Sequence, residues 1–135
     1  MKDKKDSLNK IEQKVFDLLK KLRVQFQTQV KIDKYNVDFL VNDTYIIECY
    51  GDFWHCNPQK YKPDYFNRGK KKTAREIWER DLERKKRFEE LGYKFINLWE
   101  CDIRDNTKKI KTKLKTTLRS SCKILHRKTI SYKIL

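Results

Sequence analysis

The stretch Tyr45-Ile-Ile-Glu-Cys-Tyr-Gly-Asp-Phe-Trp-His-Cys56 decides how this chain is read. Its first half belongs to an apolar and aromatic run, Thr44–Tyr50, that predicts a buried strand ending at Gly51. In such a strand Ile46, Glu48 and Tyr50 share one face, and Tyr45, Ile47 and Cys49 the other. Its second half sets Phe53, Trp54 and His55 side by side. Upstream, Tyr35–Val41 is a second strand with Asp38 at its centre. Tyr35, Val37, Phe39 and Val41 fall on one face by parity, and Asn36, Asp38 and Leu40 on the other. An acid inside an apolar strand is costly unless it is paired or binds a metal. Asp38 and Glu48 are therefore the first candidates for chemistry.

The pattern around these strands predicts the fold. Val24–Ile32 alternates, with Val24, Phe26, Thr28, Val30 and Ile32 on one side and Gln25, Gln27, Gln29 and Lys31 on the other. Turns at Asp33-Lys34 and Asn42-Asp43 join the three strands as an antiparallel meander. Residues 7–22 read as an amphipathic helix with Ser7 as N-cap and Leu8, Ile11, Val15, Leu18, Leu19 and Leu22 on one face. Thr73–Leu91 reads as a second helix, opened by a Thr73/Glu76 capping box, with Ile77, Phe88 and Leu91 on its buried face. Gly92 ends it, and Tyr93–Glu100 follows as a fourth strand. A strand, a long helix and a strand imply a crossover, and so a mixed sheet. Asp105–Leu118 reads as a Lys-rich third helix with Ile110, Leu114 and Leu118 as its apolar line. The expectation is one α/β domain over 1–135, with its core at about 7–118 and a basic tail, 119–135.

Composition narrows the partner. The chain has 135 residues, a net charge of +15 and 38% hydrophobic residues. A small basic domain with a feasible core seeks a polyanion, and nucleic acid is the first candidate. No apolar run approaches transmembrane length, and the first residues lack the apolar core of a signal peptide, so an intracellular protein without a membrane partner is expected. Cys49, Cys56, Cys101 and Cys122 form no Cys-x-x-Cys pair. Only His55, Cys56 and Cys101 could approach one another as zinc ligands, and reduced thiols without structural zinc are the expectation.

The segment Asp52–Lys72 is long, irregular, basic and aromatic, as functional loops are. Phe53 and Trp54 read either as an anchor under the loop or as a wedge between base pairs. Lys60, Lys62, Arg68, Lys70, Lys71 and Lys72 read either as solvated surface or as phosphate contacts, and the net charge favours the latter.

The acids permit a specific chemistry. If Asp38 and Glu48 point to one face of paired strands, they make a hard oxygen site suited to Mg²⁺, with Mn²⁺ as a substitute. A metal there would polarise a scissile phosphate and help activate water. His55 is the residue type that moves protons at neutral pH. Asp81 projects onto the buried face of the second helix and needs a partner. Arg84 and His55 are the two candidates. Glu12, on the edge of the first helix, reads either as a solvated glutamate or as a carboxylate turned to the site.

These residues, in this order, resemble the very short patch repair endonuclease family. The order is a helix with an inner Glu, a strand with Asp, a strand ending in Gly-x-Phe-Trp-His, a helix with Glu79-Arg80-Asp81, then Leu91-Gly92-Tyr93 and Leu98-Trp99-Glu100-Cys101. The likeness is stronger to the related phage and intron homing endonucleases, in which Gly-Asp-Tyr/Phe-Trp-His-x-Asn-Pro recurs, here Gly51 to Pro58. It runs from about Glu12 to Ile103.

The resemblance implies a restriction-endonuclease-like fold that nicks or cuts double-stranded DNA with Mg²⁺; a monomer and a homodimer are both open. It implies Asp38 as the metal-binding acid, His55 as the catalytic histidine, Asp81 as its partner and Glu12 as the inner glutamate. Phe53 and Trp54 fall where the repair enzymes place intercalating aromatics, and Cys49 where a backbone carbonyl contacts the metal. Three departures stand out. Tyr50 replaces a second histidine. Asp52 and Asn57 stand at zinc-ligand positions, of which only Cys101 is kept. Glu48 replaces an apolar residue, so Glu48 and the Cys49 carbonyl are both open as metal ligands. These departures favour a site-specific, homing-type nuclease over a mismatch nickase. A catalytically inactive DNA-binding module is the alternative from another class.

Overall fold

A computed structural model describes residues 8–118, and the basic tail and the Ser7 N-cap lie outside them. The elements are α1 (Lys10–Lys21), β1 (Phe26–Ile32), β2 (Tyr35–Val41), β3 (Tyr45–Tyr50), β4 (Phe66–Asn67), β5 (Lys72–Thr73), α2 (Ala74–Glu90), β6 (Lys94–Trp99) and α3 (Glu100–Asp105). Residues 107–118 form a further helix, α4. The main sheet has the order β1-β2-β3-β6, antiparallel except for the parallel β3/β6 pair. This is the mixed four-stranded α/β sheet that the strand–helix–strand crossover predicts.

Two cores sandwich the sheet. On one side Val15, Leu18 and Leu19 of α1 pack with Phe39, Val41, Tyr45, Ile47 and Leu98, and with Ile110, Leu114 and Leu118 of α4. On the other, Phe88 of α2 packs on Ile32, Val37, Leu40 and Ile46. Burying an aliphatic or aromatic side chain of this size contributes about 1.5–3 kcal/mol. Helices α1 and α2 both open with complete capping boxes, Asn9/Glu12 on α1 and Thr73/Glu76 on α2. A cap of this kind is worth about 1 kcal/mol.

Five local expectations are corrected. Asn9, not Ser7, caps α1, because its side chain reaches the Glu12 N–H. Leu91 is exposed, since α2 ends before it and the chain turns away at Gly92 (φ 95°). Glu100 opens α3 rather than closing β6, and a break at Asn106 separates α3 from α4. The segment 52–72 is not wholly irregular, for β4 and β5 form a small hairpin.

The fifth correction concerns sheet faces. Parity puts Phe26, Val30 and Ile32 on one face of β1. Instead Phe26 packs on the α1 side, while Val30 and Ile32 pack on the α2 side. The same reversal occurs in β2, where Phe39 and Val41 face α1 but Tyr35 and Val37 face α2. The pairing runs Phe26↔Val41 to Thr28↔Phe39, then Val30↔Val37 to Ile32↔Tyr35. Gln29 and Asp38 stand opposite each other at the omitted step, and Gln29 has φ 50°. A left-handed residue inside a strand interrupts its two-residue alternation.

Candidate active site

One cleft is lined by Glu12, Asp38, Glu48, Cys49, Tyr50, Trp54, His55 and Asp81, with Lys34, Lys70, Lys72, Arg80 and Arg84 among its basic residues. The sheet positions the acids. β2 and β3 pair from Val41↔Tyr45 as far as Phe39↔Ile47. Beyond that pair, the Cys49 N–H donates to Asp38 Oδ2 at 2.8 Å instead of to a strand carbonyl. Burial pushes the Asp38 carboxyl up to about 7, against the Cys49 N–H, and the nearby charges of Glu12 and Glu48 and a hydrogen bond with Glu12 raise it further. Glu12 thus takes part in the α1 capping box, accepting the Asn9 N–H at 3.1 Å, and also faces Asp38.

Glu48 has a different environment. It is 7% exposed, and Arg84 grips it with two bonds, Nε to Oε1 and Nη2 to Oε2, each 2.7 Å. Burial raises its carboxyl and the Arg84 guanidinium opposes that rise. Arg84 also donates to the Asn36 carbonyl at 2.8 Å and lies over the Tyr35 ring, 4.9 Å from its centroid. The guanidinium that was one candidate partner for Asp81 is thereby committed to Glu48.

Asp81 meets the other candidate. His55 Nδ1 lies 2.9 Å from Asp81 Oδ2. A carboxylate only accepts, so the hydrogen sits on Nδ1 and Nε2 is left free of that bond. Tyr50 stacks face to face on His55, with centroids 3.9 Å apart and planes within 3°. Burial, then the charge of Asp81, keeps the Tyr50 phenol protonated by raising it well above its ordinary value. The Tyr50 ring therefore lies flat against the imidazole of His55.

The turn after β3 presents the histidine. His55 N–H bonds the Gly51 carbonyl at 3.0 Å and Asn57 N–H bonds the Asp52 carbonyl at 2.9 Å, which coils residues 51–57 into a tight loop. Asp52 is buried and anchors that loop. It accepts from Lys60 Nζ at 2.8 Å and from Asn57 Nδ2 at 3.0 Å, and Asn57 Nδ2 also lies 3.5 Å from Cys101 Sγ. Burial alone would raise Asp52, but Lys60 and Asn57 hold its carboxyl below the usual range. A lysine ammonium is thus paired with one of the positions that the resemblance links to zinc.

Among the described residues no group of three His, Cys, Asp or Glu side chains converges as a metal cage. The donor set still fits one kind of ion. Mg²⁺ is typically held by one or two carboxylates, with water and substrate phosphate completing an octahedron. Asp38 and Glu12 line one cleft and would supply such a pair, and the Glu12 charge near Asp38 adds to the rise of its carboxyl, a repulsion that a cation would relieve.

The aromatic and basic candidates divide. Phe53 and Trp54 are exposed, Trp54 by 52%, so neither is a core anchor. The hairpin turn packs on Trp54: a Cβ at Gly69 would lie 2.7 Å from Trp54 Cζ3. Asn67, fully buried, ties the hairpin to the loop by donating to the Phe53 carbonyl at 2.7 Å. Lys70 and Lys72 line the cleft, Lys62, Arg68 and Lys71 are exposed, and Lys60 is paired with Asp52. Arg84, Arg80, Lys34 and Asn67 were not singled out for these places by sequence reasoning. The Glu48/Arg84 contact spans 36 residues, a separation at which no local pattern exists.

No family model and no curated protein matches the chain. Among solved structures it is similar to the catalytic domain of the homing endonuclease I-Bth0305I, with a TM-score of 0.56 and 18% identity over 80% of this chain and 92% of that one. The fold, an α/β sandwich with a mixed four-stranded sheet, resembles that of this catalytic domain. Among the described residues no helix is long and apolar enough to cross a membrane.

Proposed function

We propose that this protein is a Mg²⁺-dependent DNA endonuclease, of the site-specific homing type, that hydrolyses phosphodiester bonds in double-stranded DNA. The observation that carries the reading is the content of one cleft: an acid pair, Asp38 and Glu12, with no ion-pair partner among the described residues, together with a carboxylate-held histidine, His55. The likeness in fold to a homing endonuclease catalytic domain supports the substrate class.

Each residue then has a role. Asp38 and Glu12 hold the cation, and the Cys49 carbonyl is favoured over Glu48 as a further ligand because Arg84 already occupies both Glu48 oxygens. Mg²⁺ bound there would polarise the phosphoryl oxygen and lower the pKa of a water. Asp81 fixes the His55 ring so that Nε2 is the nitrogen that exchanges a proton with water or with the leaving oxygen. Lys70, Lys72 and Arg80 line the cleft where a phosphate backbone would run, with Lys62, Arg68 and Lys71 outside it. Trp54 and Phe53 are exposed on the same loop as His55 and would part stacked bases. Lys60 is assigned to Asp52 rather than to phosphate.

The test is nicking of supercoiled plasmid by the wild type, Asp38→Ala and His55→Ala, each with Mg²⁺ and with EDTA. Nicking that needs Mg²⁺ and falls by about a hundredfold or more in both variants is expected. Undiminished nicking by Asp38→Ala would remove the metal assignment. Metal-independent DNA binding that survives Asp38→Ala, on a panel of duplexes none of which is cut, would identify a binding module instead.

A further inference from the structure

The β1–β2 ladder is complete except at one step, and that step contains Asp38. Three pairs precede it and three follow it, in one unbroken register, so no residue has been inserted on either strand. What sets the step apart is Gln29, a non-glycine residue at φ 50° in the middle of a strand. Long side chains avoid this region, and where they adopt it the surrounding structure imposes it, often beside a functional group. Gln29 is held there: its Oε1 accepts from Asn36 Nδ2 at 3.0 Å. The hydrophobic faces of both strands reverse at the same place. Directly after the reversal, Asp38 Oδ2 accepts the Cys49 N–H from the neighbouring strand.

We infer that Gln29 is a positioning residue: its left-handed backbone takes Asp38 out of the β1–β2 ladder and aims the carboxylate toward Cys49 and Glu12. In a regular ladder residue 38 would stay in register with residue 29, and its side chain would stand perpendicular to the sheet. With the step opened, the Asp38 side chain takes over the hydrogen bond of the Cys49 N–H. The metal-binding consequence rests on the proposed function. The aiming of Asp38 does not.

The experiment is a graded series at position 29, read by amide hydrogen exchange in cation-free protein and by Mn²⁺ titration. Gln29→Gly and Gln29→Asn tolerate positive φ, whereas Gln29→Ala and Gln29→Val resist it, Val most. Protection of the Cys49 amide is expected to persist in the Gly and Asn variants. It should fall at least about tenfold in Gln29→Val, less in Gln29→Ala, and be lost in the reference variant Asp38→Ala. The Ile47 amide, in the intact β2/β3 ladder, reports that each variant is folded, and the Ala variant decides the matter where Val is unfolded. Mn²⁺ affinity should drop about tenfold in step with the Cys49 amide. A folded Ala or Val variant whose Cys49 amide stays as protected as in the wild type would overturn the inference, as would loss of protection in the Gly variant. A wild type that binds no Mn²⁺ would defeat the proposed function, and the exchange series would still decide the role of Gln29.

Discussion

Glu48 and Asp38 stand on neighbouring strands of one sheet and line one cleft, yet their charges are met in opposite ways. Glu48 is answered by a two-pronged guanidinium, and the pair is closed. Asp38 is answered by one backbone N–H and by a second acid, Glu12. A buried carboxylate paired with arginine is a structural element, and one paired with another carboxylate is a place for a proton or a cation. The contrast explains why an acid count along the strands does not find the site by itself. The neighbours decide which acid is available.

The sharpest way to break that contrast is to remove the guanidinium. Arg84→Met leaves Glu48 buried and uncompensated, and a loss of about 3–5 kcal/mol is expected in denaturant unfolding. The double variant Glu48→Gln/Arg84→Met should recover most of it. A single variant as stable as the wild type would show that Glu48 is not held by that pair.

The second prediction concerns Asp38 and pH. Its folded-state carboxyl, at about 7, lies above its ordinary value of 3.8. In cation-free protein the folded state therefore keeps a proton that the unfolded chain releases. The contribution is fully present below the ordinary value and is lost as pH rises through about 7. Asp38→Asn should abolish this loss, so its stability relative to the wild type should rise between pH 5 and pH 8 by up to a few kcal/mol, since each tenfold difference in proton affinity is worth about 1.4 kcal/mol. Melting curves at the two pH values check it. Parallel changes in both proteins would mean that Asp38 carries no such proton.

A smaller effect is expected at the stacked pair. Tyr50→Phe keeps the ring against His55 and should keep nicking near the wild-type rate. Tyr50→Leu removes a contact worth about 0.5–1.5 kcal/mol and should lower kcat roughly tenfold with little change in KM. Equal rates for the Phe and Leu variants would show that the stack does not hold the imidazole.

Much of this arrangement was legible from residues alone. The four strands, the crossover helix and its Thr73/Glu76 cap follow from local patterns, because caps and alternation act over a few residues. The meeting of His55 with Asp81 was one of two alternatives that the sequence left open, and the geometry resolves it. What parity concealed was the reversal at Gln29 and Asp38, since residues on either side of it keep the same parity while changing faces. The Glu48/Arg84 pair was hidden for a different reason. It joins a strand to a helix far along the chain, and charge complementarity at that distance has many solutions. Short helix α3 was hidden by Trp99 and Glu100, which read equally well as a strand end.

The most direct measurement is calorimetric titration of Mn²⁺ into the wild type, Asp38→Asn and Glu48→Gln, without DNA, at pH 8. Binding by the wild type and by Glu48→Gln is expected, with its loss in Asp38→Asn. Binding that survives Asp38→Asn and disappears with Glu48→Gln would contradict the assignment, and would move the cation to the acid that Arg84 now holds.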